Sequence, residues 1–254
     1  MQNDKCRLDQ ALVERGLAPS RARAQGAIKA GHVSVNGHKV VKPAAPAAPS
    51  DKIELSGLEH PYVSRAALKL VHGLDCFGVA VEGRHALDLG ASTGGFTQVL
   101  LERGAAHVIA IDVGHGQLDD SLRNDPRVTA IEGLNAKDVD ATSVTEPFDL
   151  IVCDLSFISL KKALPATLEL APVGTDLLAL IKPQFEVGKG RLGKGGVVKE
   201  EGLHEEVCAD IAEWLSSLPG WTVKGVTPSP IEGGDGNREF LIAARKPGTE
   251  DRKT

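Results

Sequence analysis

From residue 65 onward, short apolar runs alternate with segments of helical length, and this alternation constrains the fold more than any other feature. The runs lie at residues 85–89, 108–111, 128–131, 148–153, 177–181, 221–226 and 240–244. Short apolar runs between such segments suit buried strands linked by crossover helices. Strands joined in that way run parallel, so the expected body is a doubly wound, mainly parallel, Rossmann-like α/β sheet. A sheet of this kind holds its ligand beyond the carboxyl ends of its strands.

The first run ends in Asp88-Leu89-Gly90-Ala91-Ser92-Thr93-Gly94-Gly95-Phe96, and a helix is expected over 97–103. Glycines let the chain turn sharply there and let a ligand lie against the backbone. A dinucleotide site would read Gly-x-Gly-x-x-Gly. This loop reads Asp-x-Gly-x-Ser-x-Gly, and its leading acid suits a ligand with a cationic amino-acid end and no phosphate, as in S-adenosylmethionine. Asp112 closes the next run, where a carboxylate can accept from both ribose hydroxyls. The expected cofactor-binding residues are Asp88, Gly90, Ser92, Thr93, Gly94, Gly95, Phe96, Asp112, Val113, Asn135 and Asp154. Asn135 reads equally well as a plain turn residue.

Four charged residues fall at or near the same edge. Asp154 ends the fourth run, Lys182 ends the fifth, Glu239 opens the last, and Lys69 stands before the first. A charge directly beside several buried apolar residues is a costly place for an idle group. Two lysines and two acids suit the methylation of a ribose 2′-hydroxyl, a poor nucleophile that needs in-line placement and a group to take its proton. A free lysine, with a reference pKa of ~10.4, is protonated at neutral pH. Burial and a neighbouring ammonium favour its neutral form, and carboxylates oppose them. Lys182 is the expected base, Lys69 its electrostatic neighbour and donor, Asp154 the orienter near the methyl, and Glu239 the partner of a lysine.

Residues 1–56 hold nine Lys/Arg against five Asp/Glu, and the rest of the chain holds 20 against 29. Local positive charge, not the total of −5, sets attraction to phosphate. Helices are expected over 7–15 and from a Pro19-Ser20 cap to Gly31. Val33-Ser34-Val35 leads into an Asn36-Gly37 hairpin turn and returns over 39–41. The tract 43–49 reads as a loop inside this domain, and 53–55 as a further strand of the hairpin sheet. On the second helix Arg21, Gln25 and Lys29 form one polar stripe, with Arg23 pointing elsewhere. The module resembles the small RNA-binding domain of a ribosomal small-subunit protein, pseudouridine synthases and tyrosyl-tRNA synthetases. The expected domains are 1–58, a linker 59–64, a body 65–247 and a tail 248–254.

The blocks "YVSRAALKL", "DLGASTGGFTQVLLERGA", "DVGHGQL", "DLSFISL", "KPQFEVGKG", "GKGGVV" and "SPIEGGDGNREFL" resemble the TlyA family, whose catalytic domain is similar to the FtsJ type of ribose methyltransferase. The resemblance implies a seven-stranded methyltransferase sheet with its last strand antiparallel, preceded by a small α+β RNA-binding domain. It maps a Lys-Asp-Lys-Glu tetrad onto Lys69, Asp154, Lys182 and Glu239. It further implies 2′-O-methylation of cytidine in ribosomal RNA, with the basic head docking on the subunit. The short chain end points to the large subunit. Ala66-Ala67 and Asp120 depart from the family pattern, beside the catalytic lysine and at the rim of the cofactor pocket.

The RNA-binding residues are expected to be Arg7, Arg21, Arg23, Lys29, Arg65, Lys189, Arg191 and Lys194. The last three lie on a stretch, 188–195, that nearly matches a triphosphate loop but carries Gly195 where a hydroxyl is needed. It reads instead as a flap over RNA phosphates, or as an inert mobile loop. No run nears the ~18 apolar residues of a membrane helix, and the four cysteines lack metal spacing. The expectation is a cytoplasmic monomer with no metal and no membrane partner. Two rival readings stay open: a haemolysin-like membrane-active protein, and a ribosome-binding protein without activity.

Overall fold

The computed structural model describes residues 5–18, 21–29, 31–56, 61–198, 200–233 and 236–248. The chain divides into two compact units, Met1–Ser64 and Arg65–Thr254.

In the head, β1 (Cys6–Arg7), α1 (Leu8–Glu14) and α2 (Arg21–Lys29) precede β2 (Val33–Val35), β3 (His38–Lys39), β4 (Pro46–Ala47) and β5 (Ile53–Leu55). Leu8, Leu12, Ile28, Val33 and Ile53 meet in its core. The expected cap at Pro19-Ser20 lies outside the described residues. At the other end of α2, Gly31 takes φ +77°. His32 N–H donates to Ala27 O at 3.0 Å and Gly31 N–H to Ile28 O at 2.9 Å, closing the helix. Asn36 (φ 52°) and Gly37 (φ 81°) are both left-handed, as a two-residue hairpin turn requires. β2 pairs antiparallel with β3 on one side and β5 on the other.

Two expectations need correction here. Arg7 belongs to a strand rather than to the first helix, and the tract 43–49 is not all loop, because β1 pairs with β4 (Arg7 with Pro46). The tract's carbonyls explain this. Ala45 O accepts from Leu8 N–H at 2.8 Å and Pro43 O from Asp9 N–H at 3.1 Å, so the tract satisfies helix-start donors that have no partner within α1. Proline lacks a donor but keeps its acceptor. A two-residue strand has no periodicity to read.

The body begins with α3 (Ala66–Phe77), β6 (His85–Leu89), α4 (Gly95–Glu102), β7 (His107–Asp112), α5 (Asp120–Arg123) and β8 (Val128–Glu132). It continues with β9 (Leu150–Cys153), α6 (Leu160–Ala163), α7 (Pro165–Leu170), β10 (Asp176–Ile181), α8 (Pro183–Glu186), α9 (Glu201–Ser217), β11 (Thr222–Pro228) and β12 (Phe240–Arg245). Seven strands form one sheet in the order β11-β12-β10-β9-β6-β7-β8. The pairs from β10 through β8 are parallel, and β12 runs antiparallel to both of its neighbours. All six residues of β10 are buried, as a central strand covered on both faces demands. Strand order reverses between β6 and β9, so the crevice for a ligand falls at the carboxyl ends of these two strands.

Candidate active site

Register brings the charged residues together. Ile181, the last residue of β10, pairs with Phe240, the first of β12. Lys182 follows one and Glu239 precedes the other, so the two stand side by side at the carboxyl edge. Asp154 follows β9 on the neighbouring strand, and α3 delivers Lys69. Lys69, Lys182 and Glu239 are buried.

The four groups form two ion pairs. Lys69 Nζ donates to Glu239 Oε2 at 2.5 Å. Lys182 Nζ lies 2.5 Å from Asp154 Oδ1, at an angle outside hydrogen-bond geometry, and donates to Ser156 Oγ at 3.0 Å. Asn237 supports the strand bearing Glu239: its buried side chain accepts from Val198 N–H at 3.0 Å.

A cavity of about 560 Å³ opens at the same edge. Among the expected cofactor residues, Gly90, Ser92, Asp112, Val113, Asn135 and Asp154 line it. Gln117, Lys137 and residues 155–158, which sequence reasoning did not single out, complete much of its wall. Their signals are position, since all follow strand ends, and, for Gln117 and 155–158, membership of the blocks DVGHGQL and DLSFISL. Phe157 stands at φ 66° with 90% of its surface exposed, its ring 5.1 Å from that of Phe185. Gly90 has φ +86°, and a Cβ there would lie 2.6 Å from the backbone oxygen of Asp154, so only glycine keeps this wall open. Asp112 accepts from Ser92 N–H at 2.8 Å and Gly114 N–H at 2.7 Å, which fixes its carboxylate at the cavity. Asn135 caps its own turn by accepting from Lys137 N–H at 3.2 Å while it lines the wall.

Asp88, Thr93, Gly94, Gly95 and Phe96 are not part of that wall. Gly94 leaves room for Leu118 and Leu122, whose side chains a Cβ would strike, and Phe96 is buried on α4. Asp120 opens α5 and is exposed away from the cavity lining. Asp88 is fully buried; its Oδ2 accepts from Thr97 Oγ1 at 2.7 Å, and its Oδ1 has no hydrogen-bond partner among the described residues.

Burial pushes the Asp88 carboxyl up to about 7, with the charges of Asp154 and Asp112 adding to the effect against the Thr97 hydrogen bond. A carboxyl raised in the fold binds its proton more tightly there than in the unfolded chain. Its contribution to stability is therefore complete below the unfolded value, ~3.9, and is lost as pH rises through about 7. Asp88→Asn is expected to remove that slope, at most about 1.4 kcal/mol per pH unit for one proton. Denaturant titrations of both proteins between pH 4 and 8 would show it, and parallel curves would refute it.

The basic residues differ in their surroundings. Lys29 and Arg65 are exposed, and Arg23 is half-buried. Arg7 and Arg21 converge on Asp9. Arg191 lies on the glycine-rich stretch, but its guanidinium holds Glu206 of α9 through two contacts at 2.5 and 2.6 Å. The side chains of Lys189 and Lys194 lie outside what the structure describes. No helix among the described residues is long and apolar enough to cross a membrane.

The reversed β12 separates this body from an all-parallel dinucleotide-binding sheet, and with the cavity at the switch point it places the body in the Rossmann-like methyltransferase class. The chain belongs to the TlyA family of FtsJ-like methyltransferases: residues 62–246 match the FtsJ-like methyltransferase family, and residues 6–53 match the S4 domain. It is 49% identical over 244 residues to the 16S/23S rRNA (cytidine-2'-O)-methyltransferase TlyA of Mycobacterium tuberculosis, covering 95% of this chain and 90% of that protein. The 23S rRNA (cytidine-2'-O)-methyltransferase TlyA of Campylobacter jejuni is 40% identical over 193 residues, 76% of this chain and 74% of that one. A solved structure from Streptococcus thermophilus, described as a hemolysin, superposes with a TM-score of 0.74 at 38% identity, covering 97% and 90% of the two chains.

Proposed function

We propose that this protein transfers a methyl group from S-adenosylmethionine to the 2′-hydroxyl of a cytidine in ribosomal RNA, in the cytoplasm and on the large subunit, with the head binding the RNA. The observation that carries the reading is the two lysine–carboxylate ion pairs, buried Lys69–Glu239 and largely buried Lys182–Asp154, at the strand edge that holds the cavity. The residues present suit the cofactor. A cradle that only glycine permits and the Asp112 carboxylate fixed at the wall match its adenosine end, and Asp154 at the same wall suits its cationic end.

When bound, S-adenosylmethionine supplies an electrophilic methyl on a sulfonium. The chain supplies placement and proton management. Gly90 would admit the ligand, and Asp112 would accept hydrogen bonds from its ribose hydroxyls. Asp154 reaches both the cavity wall and Lys182, so it couples the cofactor side of the site to the base. Lys182 is the group that would take the hydroxyl proton, as the oxygen–carbon bond forms and the donor's carbon–sulfur bond breaks. Lys69, held by Glu239, brings a fixed positive charge that orients the substrate oxygen.

The test is transfer of labelled methyl from S-adenosylmethionine to unmodified large subunits, small subunits and naked ribosomal RNA. Label at a cytidine 2′-oxygen of the large subunit is the expected result. Label on a base would overturn the ribose assignment, and label in the small subunit alone would overturn the particle. No label on any substrate, with cofactor binding intact, would sink the catalytic reading.

A further inference from the structure

Among the described residues of the head, the most deeply buried charge is also the most connected. Asp9, in the first turn of α1, has 0% of its surface exposed. Arg7 grips it side-on, with Nε donating to Oδ1 and Nη2 to Oδ2, both at 2.9 Å. From α2, Arg21 Nη2 reaches the same Oδ2 at 3.3 Å, and Gln25 Nε2 donates to it at 2.7 Å. Two guanidiniums that meet on one oxygen are neighbours, and the Arg7 and Arg21 side chains remain 46% and 58% exposed.

Joining two helices does not require a charge. Neutral groups of similar size would do so at a lower desolvation cost, because buried ion pairs gain little net stability. The arrangement does leave a surplus. One carboxylate against two guanidiniums makes a local charge of plus one, and a backbone phosphate carries minus one. A guanidinium already fixed in place also loses less rotamer freedom when it binds.

We infer that Asp9 is a positioning residue for RNA, holding Arg7 and Arg21 as a two-guanidinium clamp for one backbone phosphate. The inference rests on the head being the RNA-binding part of the protein. The Arg7 guanidinium beside Asp9 holds its carboxyl well below the usual carboxylate range, so the anchor stays charged at any working pH. Gln25, the uncharged member of the stripe on α2, is explained as well: it donates to the anchor and adds no charge to the clamp.

Four full-length proteins test this: wild type, Asp9→Asn, the double variant Arg7→Gln with Arg21→Gln, and the triple variant. KM and kcat for methyl transfer to unmodified large subunits are measured, with the salt dependence of subunit binding. Asp9→Asn is expected to raise KM about tenfold, the size of one charge-assisted contact, with kcat unchanged. Its log–log salt slope should fall by about 1, one lost phosphate contact. In the background lacking both arginines, adding Asp9→Asn should change KM by less than about twofold, since sites acting through one another are not additive. An equal loss in both backgrounds, including one caused by unfolding of the head, would make Asp9 a structural staple and overturn the inference. Normal KM and salt slope in Asp9→Asn, beside an impaired double variant, would overturn it while leaving the head's role intact. A double variant that binds like wild type would remove the head's role and the inference together.

Discussion

Lys182→Ala is expected to slow methyl transfer about 10³-fold, the middle of the range for a lost general base, while cofactor affinity stays close to wild type. The separation follows from geometry. Lys182 is not part of the cavity wall, whereas its partners Asp154 and Ser156 are. Truncation therefore removes the group that takes the proton and leaves the cofactor's lining in place. Lys182→Arg should fail equally, because a guanidinium stays protonated and cannot accept the hydroxyl proton. A base lost from the chemical step lowers kcat and kcat/KM together, with little change in KM for the subunit. Single-turnover transfer and calorimetric cofactor titration would measure the two halves. Near-normal transfer by Lys182→Ala would remove the base assignment, and a large loss of cofactor affinity would show that the residue belongs to the binding site.

The sheet was legible because central strands of a doubly wound fold must be apolar throughout. The run at 85–89 coincides with β6, and the others differ from their strands by at most two residues at either end. The charged residues at strand ends were legible for the same reason: a charge beside a buried run stands out. Their pairing was not. The reading from sequence left open which lysine Glu239 partners, and register makes Lys182 its neighbour across the β10–β12 ladder, yet Glu239 reaches Lys69 and Lys182 faces Asp154. Side-chain direction decides between candidates that register leaves equivalent. Arg191 on the stretch 188–195 shows a similar limit, since the acid that holds it lies fifteen residues on, in α9. Gln117 and residues 155–158 lie in the blocks DVGHGQL and DLSFISL, but nothing in those blocks gives them a role, and only the three-dimensional closure of the loops brings them to the cavity.

The opposite edge of the sheet carries a second charge cluster, and there the expected effect is on stability alone. Asp176 opens β10 and is buried; its Oδ2 accepts from Arg84 and Arg245, each at 2.7 Å, and its Oδ1 from Lys224 at 2.9 Å. These cations come from the residue before β6, the end of β12 and the middle of β11, so one carboxylate ties together strands far apart in sequence. Removing the shared partner takes one counter-charge from three neighbouring cations, although Arg84 keeps Asp149 at 3.3 Å, and breaking a buried pair in this way costs about 3–5 kcal/mol. Lys224 and Arg245 are a third exposed and can turn to water, which places Asp176→Ala at about 3 kcal/mol, the lower end of that range. For a body of this size that is a fall in Tm of about 10 °C. Burial pushes the Asp176 carboxyl up, but Arg84 and Lys224 outweigh it and hold the group below its ordinary value. A depressed carboxyl gives stability that is present above the unfolded pKa, ~3.9, and is lost as pH falls through the lower folded value. The variant should therefore also lack part of the wild type's loss of stability in acid. Because Asp176 sits at the amino end of the strands, away from Lys182, its kcat at a permissive temperature should match wild type. Thermal unfolding at pH 7 and pH 3, paired with the transfer assay, tests all three statements. An unchanged Tm would mean the cluster is a solvated surface network, and a lost kcat would mean the two edges of the sheet are coupled.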